Sequence, residues 1–299
     1  MRVFVAGATG AIGRPLLPRL VAAGHDVFGM TRSADRAAAL ERAGARAVVC
    51  DVYDEAGLRS AMAAATPEVI VHQLTALPTA LDPRRRGLYE ATNRLRRDGT
   101  RLLIAAGQAA GATRIVAQSI AFLYAPVGDW AKAEDAAVIR AAPGEFGEAL
   151  RAVADLEGQV LGAAGMDGLV LRYGFFYGPG TAYASDGYWA GEVRRRRFPV
   201  VGAGRGTFSF IHTDDAASAT VAAVTRGSTG IYNITDDEPA PLNEWLPAYA
   251  EALGARPPFR VPPWLAKLAG GRQAVQMAVG MRGASNARAR TELGWAPEH

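Results

Sequence analysis

Residues 3–13, VFVAGATGAIG, constrain this chain more than any other stretch. An apolar run stops at Gly7, glycines recur at Gly10 and Gly13, and the helix-forming RPLLPRLVAAG follows. That order is strand, glycine turn, helix start. Each glycine meets a steric need: a tight turn, close approach of backbone to phosphate, and close packing of helix on strand. The free N–H groups of the first helical turn then face an anion. A structural turn is the alternative. The setting between a strand-like and a helix-like segment favours a dinucleotide pyrophosphate.

The alternation continues. Strands are expected at Val3–Ala6, Asp26–Met30, Ala47–Cys50, Val69–His72, Arg114–Gln118 and Leu169–Arg172. Alanine- and leucine-rich segments with helical periodicity separate them, at 11–23, 33–43, 55–65, 86–110 and 147–164. Such alternation gives βαβ units and a parallel sheet covered on both faces. Right-handed crossovers make it an α/β fold, a Rossmann doubly wound parallel sheet. From Tyr173 to Phe210 glycine, proline and aromatic residues become dense, and VPPWLAKLAGG lies near the end. These stretches read as a smaller C-terminal substrate lobe. The expected division is 1–172 with 205–235 for the nucleotide-binding domain, and 173–204 with 236–299 for the lobe.

Composition excludes several classes. At 299 residues and 49% hydrophobic content the chain buries a real core. Cys50 is the single cysteine, so no intrachain disulfide forms, as in a reducing compartment. No apolar run reaches membrane-spanning length, and the chain enters a strand without a signal-peptide pattern. A cytoplasmic protein with no membrane partner is expected. The net charge of +4 is carried by arginine, clustered at Arg84–Arg86, Arg94–Arg97 and Arg194–Arg197. These clusters are separate and lack interleaved aromatics, so they read as solvated helix faces and not as a nucleic-acid surface. The histidines and the cysteine show no metal-ligand spacing, and no metal is expected.

An NAD site places an acid at the end of the second strand to bond the ribose 2′-hydroxyl. Here that strand, DVFGMTRS, ends in Thr31, Arg32 and Ser33. Arg32 suits a 2′-phosphate through its planar fork of donors, which points to NADP(H). Arg32 as a plain helix start is the alternative. Asp51, in VVCDVYD, is placed to meet the adenine or to close an ordinary strand-end turn.

With these residues in view the chain resembles the extended short-chain dehydrogenases/reductases, the NAD-dependent epimerase/dehydratase type. GATGAIG, VIVHQLTAL, GTRLLIAAGQAAGATRIVAQS, LRYGFFYGPG, FSFIHTDDAA and GIYNITDDEPAPLNEWL carry the resemblance, which covers nearly all of the chain. It implies a homodimer through the helices near 86–110 and 147–164. It implies cofactor contacts from Gly7, Thr9, Gly10, Ala11, Ile12 and Gly13, from Arg32, Asp51 and Val52, and from Gln73, Leu74 and Thr75. Further contacts would come from Gln118 and from Tyr173, Gly174 and Phe175.

The family's chemistry uses Ser/Thr, Tyr and Lys to pass a proton beside the hydride path. Aligning Glu157 with the acid that follows the Lys puts Ala149 at the Tyr position and Val153 at the Lys position. The usual catalytic hydroxyl position holds Ile120, beside Ser119. The triad is absent. Ser119 and Tyr124, both after the fifth strand, are the remaining catalytic candidates. Sugar-nucleotide members carry Arg-Asp where this chain has Phe208-Ser209, so a diphosphate sugar is disfavoured. Phe175, Phe176, Tyr177, Tyr183, Tyr188 and Trp189 suggest an aromatic pocket, or else the lobe's own core. His72, His212 and Asp215 read as structural. Asn93 resembles a family asparagine, although its spacing to Gly99 is longer.

The expectation is an NADPH-dependent reductase of a small, fairly apolar carbonyl, imine or enone, with a non-standard proton donor. A cofactor-retaining epimerase, isomerase or dehydratase is one alternative. A non-catalytic NADP(H)-binding sensor is another.

Overall fold

The computed structural model describes residues 1–78 and 86–299. The first half runs β1 (Arg2–Ala6), α1 (Gly13–Ala22), β2 (Asp26–Thr31), α2 (Ala37–Arg42), β3 (Arg46–Val49), α3 (Glu55–Ala65), β4 (Val69–His72), α4 (Glu90–Arg94), α5 (Thr100–Ala109) and β5 (Arg114–Ile120). A π-helical turn, Leu95–Gly99, joins α4 to α5. Then come β6 (Ala131–Lys132), α6 (Gly144–Leu161), β7 (Asp167–Tyr173), β8 (Phe175–Tyr177), α7 (Tyr188–Arg194), β9 (Val200–Val201), β10 (Thr207–Phe208), β11 (Phe210–His212), α8 (Thr213–Thr225) and β12 (Gly230–Ile234). The chain ends with β13 (Ala240–Pro241), α9 (Leu242–Ala252), β14 (Arg260–Val261), α10 (Pro263–Gly280) and β15 (Gly283–Ala284).

Period-2 alternation sorts the strand side chains onto two faces. In β1, Val3 and Val5 face α1 and α8, packing with Leu16, Leu20, Val71, Val116 and Ile234. Phe4 and Ala6 face α3, α5 and α6, packing with Ile70, Leu103, Ile115 and Leu156. The result is a seven-stranded sheet in the order β12-β7-β5-β4-β1-β2-β3, with every ladder parallel. The expected Rossmann-type sheet is present, and each of the six expected strands lies in it within two residues at either end. The seventh strand, β12, was not expected. Its residues GIYNI hold a glycine and an asparagine, which hide a strand in a sequence.

The order reverses between β1 and β4, so a crevice opens there at the carboxyl ends of the strands. Above it a third core gathers Phe208, Trp245, Leu246, Ala250, Ala278 and Met281, with Phe122, Phe175, Tyr183 and Phe210 against it. Of the arginine clusters, Arg84 and Arg85 lie outside the described residues. No described helix is long and apolar enough to cross a membrane.

Candidate functional site

The glycine loop is closed by contact. A Cβ on Gly7, at φ 95°, would sit 2.5 Å from the Gln73 carbonyl oxygen, and one on Gly13 would sit 2.4 Å from that of Ala8. Both positions therefore bring backbone against backbone, whereas Gly10 at the tip is exposed. No side chain caps α1: Ile12 precedes it, and its first turn holds no acid. The loop thus offers amide donors and a positive helix end without a resident acceptor. Thr9, Ala11 and Ile12 lie along it.

At the end of β2, Arg32 is exposed. The turn after it brings in a residue missed in the sequence: Arg36 Nη1 reaches Thr9 Oγ1 at 3.5 Å. The Arg36 guanidinium therefore stands at the rim of the loop. Reading the TRSADR segment as a 3₁₀ turn would have found Arg36, one turn on from Arg32. After β3, Asp51 Oδ1 accepts the Tyr53 N–H at 2.9 Å, closing the turn, and Val52 is buried beside it. After β4, Gln73 Nε2 donates to the Tyr173 hydroxyl while Gln73 Oε1 is buried without a partner. Leu74 is half-buried and Thr75 is exposed above the crevice. Gln118 on β5 is half-buried.

The β7 residues differ from expectation. The Tyr173 side chain is fully buried, bonded to Thr220 Oγ1 at 2.7 Å, and burial pushes its pKa up to about 12. It belongs to the core. Gly174 lies against the Ser209 and Phe210 carbonyls. Phe175 stacks on Phe122 with centroids 4.3 Å apart and also contacts Tyr183, Phe208 and Phe210. Much of the expected aromatic pocket is therefore lobe core. A narrow apolar cleft lies between the β5 loop and α10, lined by Phe122, Tyr124, Phe146, Gln273, Gln276 and Met277.

One buried network takes up the hydroxyls of both catalytic candidates. Ser119 Oγ donates to Glu157 Oε1 at 2.6 Å. Arg172 grips the same carboxylate, Nε to Oε1 at 2.8 Å and Nη2 to Oε2 at 2.7 Å. Arg172 Nη1 donates to the Tyr124 hydroxyl at 3.1 Å, and that hydroxyl donates its proton to Asn233 Oδ1 at 2.6 Å. Burial pushes the Tyr124 pKa up. Ser119 and Tyr124 are each 2% exposed, and their protons are committed within the protein. Tyr124 borders the cleft with its hydroxyl proton held by Asn233, and Ser119 is not among the residues that line it. Ala149 and Val153, on the same α6 face as Glu157, are buried and apolar.

His72 is a satisfied core imidazole. Its Nδ1 accepts from Leu74 N–H at 3.2 Å and its Nε2 meets Thr100 Oγ1 at 3.0 Å. Burial, with the Arg96 charge, lowers its pKa to about 4. His212 caps α8, accepting from the Asp214 N–H. The fold does bring His212, Asp214 and His299 together, which spacing did not reveal. However, the two rings stack with centroids 4.0 Å apart at 23°. An ion shared by both would lie far out of both ring planes, where imidazole has no lone pair.

The chain is similar to known proteins in sequence and fold. The model of the NAD dependent epimerase/dehydratase family matches residues 3–235. The chain belongs to this family. It is 48% identical over 300 residues to a "3-diazoavenalumate denitrifying reductase" of a Streptomyces species, covering 100% of this chain and 97% of that one. It is 27% identical to a quinoline-oxide ketoreductase of Stigmatella aurantiaca, over 86% of this chain and 74% of that one. The UDP-glucose 4-epimerase of Thermotoga maritima, solved with UDP-glucose, superposes with a TM-score of 0.77 at 19% identity, over 100% of this chain and 94% of that one. A human epimerase family protein solved with NADPH gives 0.73 at 22%, over 100% and 95%. The structural likenesses speak for the fold. The named reductases support an enzyme of the oxidoreductase kind.

Proposed function

We propose that this protein is an NADPH-dependent reductase that removes dinitrogen from a diazo-bearing aryl substrate. The carrying observation is the apolar α6 face at Ala149 and Val153, together with the internal commitment of Ser119 and Tyr124. Ordinary carbonyl reduction makes an alkoxide and calls for a proton donor. Hydride addition to a diazonium does not. The carbon gains a hydrogen with its electron pair, the C–N bond breaks, and its pair leaves with neutral N₂. Charge and atoms balance without a proton. The relative at 48% identity is named for that outcome.

The amide donors of the Gly7–Gly13 loop would hold the cofactor's pyrophosphate, and Arg32 with Arg36 its 2′-phosphate. Asp51 and Val52 would border the adenine. Gln73, Thr75 and Gln118 line the path to the nicotinamide, and the partnerless Gln73 Oε1 offers an acceptor there. Bound in this way, the reduced nicotinamide supplies a hydride. The cleft, of about 20 Å³, would have to widen to admit an aryl group; Phe122, Phe146 and Met277 would then exclude water around it, and Gln273 and Gln276 would offer polar contacts. Cytoplasm is the setting we assign, in keeping with the buried thiol of Cys50.

A second reading is reduction of an apolar carbonyl, supported by the ketoreductase relative. NADPH oxidation assayed on aryl diazonium carboxylates and on matched aryl ketones separates the two. Turnover of the diazo compounds with N₂ release is expected. Turnover of the ketones alone moves the assignment to the second reading.

A further inference from the structure

The second half of α10 turns one face to the cleft. Gly271, with φ 74° and ψ −178°, breaks the helix. Beyond the break Gln273, Gln276, Met277 and Gly280 line the cleft. Their spacing is i, i+3, i+4 and i+7, a single helical stripe. A stripe turned toward other side chains is ordinarily apolar, and here it carries two amides.

Both glutamine side chains are half-buried, and neither amide has a hydrogen-bond partner among the described residues. The rest of the lining offers them none. It consists of Phe122, Tyr124, Ile139, Phe146 and Met281. The Tyr124 hydroxyl is the one polar side-chain group among these, and it already donates to Asn233 and accepts from Arg172. Water or a ligand is what remains for the two amides. Each amide carries two N–H donors and a carbonyl acceptor. Two of them a turn apart suit a group that both gives and takes a hydrogen bond, as a hydroxyl does. An ether or a ketone only accepts and leaves the amide oxygens unmet. A carboxylate only accepts as well, and it finds no cation in this lining.

We propose that Gln273 and Gln276 bind a ring hydroxyl of the substrate, so that the substrate class is a phenol bearing the diazo group. This deepens the reductase reading and rests on it for the diazo group. The hydroxyl follows from the amides of the cleft.

Calorimetric titration tests this without turnover. NADP⁺-loaded wild type, Gln273→Met, Gln276→Met and the double variant are titrated with phenol and 4-ethylphenol, and with their methyl ethers. Methionine keeps the unbranched shape and removes the donors and the acceptor. Wild type is expected to prefer the phenols by about three- to tenfold, the worth of a net hydrogen bond. Each single variant should narrow that preference, and the double variant should abolish it while binding the ethers at least as well. The Tm of the ligand-free variants should equal or exceed that of wild type, because the amides have no protein partner to lose. Equal binding of phenols and ethers by wild type, or no binding of either, overturns the proposal. So does a double variant that keeps the preference, or variants whose Tm falls along with it, which marks structural glutamines. NADPH oxidation on aryl diazonium compounds with and without a ring hydroxyl then separates the two readings. No turnover of either, with the phenol preference intact, counts against the reductase reading alone. Equal turnover of both counts against the hydroxyl site alone.

Discussion

Glu157 and Arg172 hold each other through two parallel hydrogen bonds of 2.8 and 2.7 Å in the seam between α6 and β7. Burial opposes the Arg172 charge, but the Glu157 carboxylate outweighs it and holds the guanidinium protonated. The pair also sets the rotation of α6. With Glu157 turned inward, Val153 and Ala149 face inward one and two turns back. The face that carries the family's proton-transfer pair is built here as core, with Val153 packed on Leu123 and Leu150.

Removing one partner leaves the other charge buried alone. Glu157→Gln should cost about 3–5 kcal/mol of unfolding free energy. Urea denaturation monitored by tryptophan fluorescence reads this directly. A loss below about 1 kcal/mol would mean that the pair does not organise α6.

Tyr124→Phe separates structure from chemistry. The phenol proton goes to Asn233, so the variant should lose about 1–2 kcal/mol of stability. Its kcat should stay within about threefold of wild type. A folded variant whose kcat falls by about a hundredfold or more would restore Tyr124 as a proton donor.

Arg32→Ala should weaken NADPH binding by about ten- to a hundredfold and leave NADH binding unchanged. Arg36→Ala should act in the same direction and less strongly, since its guanidinium is also bonded to Thr9. Fluorescence titration of each variant with both nucleotides decides. Equal losses for NADPH and NADH would remove the 2′-phosphate assignment.

Stability should depend on pH through His72. Its folded pKa of about 4 lies below the unfolded 6.5, so the native state binds fewer protons between these values. The His72 contribution is then whole above pH 6.5 and falls as pH drops toward 4, by about 3 kcal/mol in all. Asp236 works in the opposite sense. Burial raises its pKa from 3.8 to about 6, so its contribution is whole below pH 3.8 and is lost as pH rises through 6. In an Asp236→Asn background, unfolding free energy should fall steadily from pH 6.5 to 4. Adding His72→Gln should flatten that slope, and a slope that survives belongs to another group.

The sheet was legible because short apolar runs separated by helical periods leave few alternatives, and Val3–Ala6 with Val69–His72 are nearly pure cases. β12 was not, because Gly230 and Asn233 owe their places to tertiary partners: Asn233 is bonded to Tyr124, Glu134, Lys132 and Ser285. The loss of the family triad was visible at Ala149, Val153 and Ile120. The fate of Ser119 and Tyr124 was not, since hydroxyls read alike whether they face a substrate or a buried arginine.

Hydride delivery to a diazo carbon without a protein proton donor is read most directly by supplying NADPH dideuterated at nicotinamide C4 with an aryl diazonium carboxylate and tracking the product by mass spectrometry, with N₂ by gas analysis. The account predicts one deuterium on the carbon that bore nitrogen and one N₂ per NADPH consumed. A product that keeps its nitrogen, or one that takes its new hydrogen from solvent alone, would contradict it.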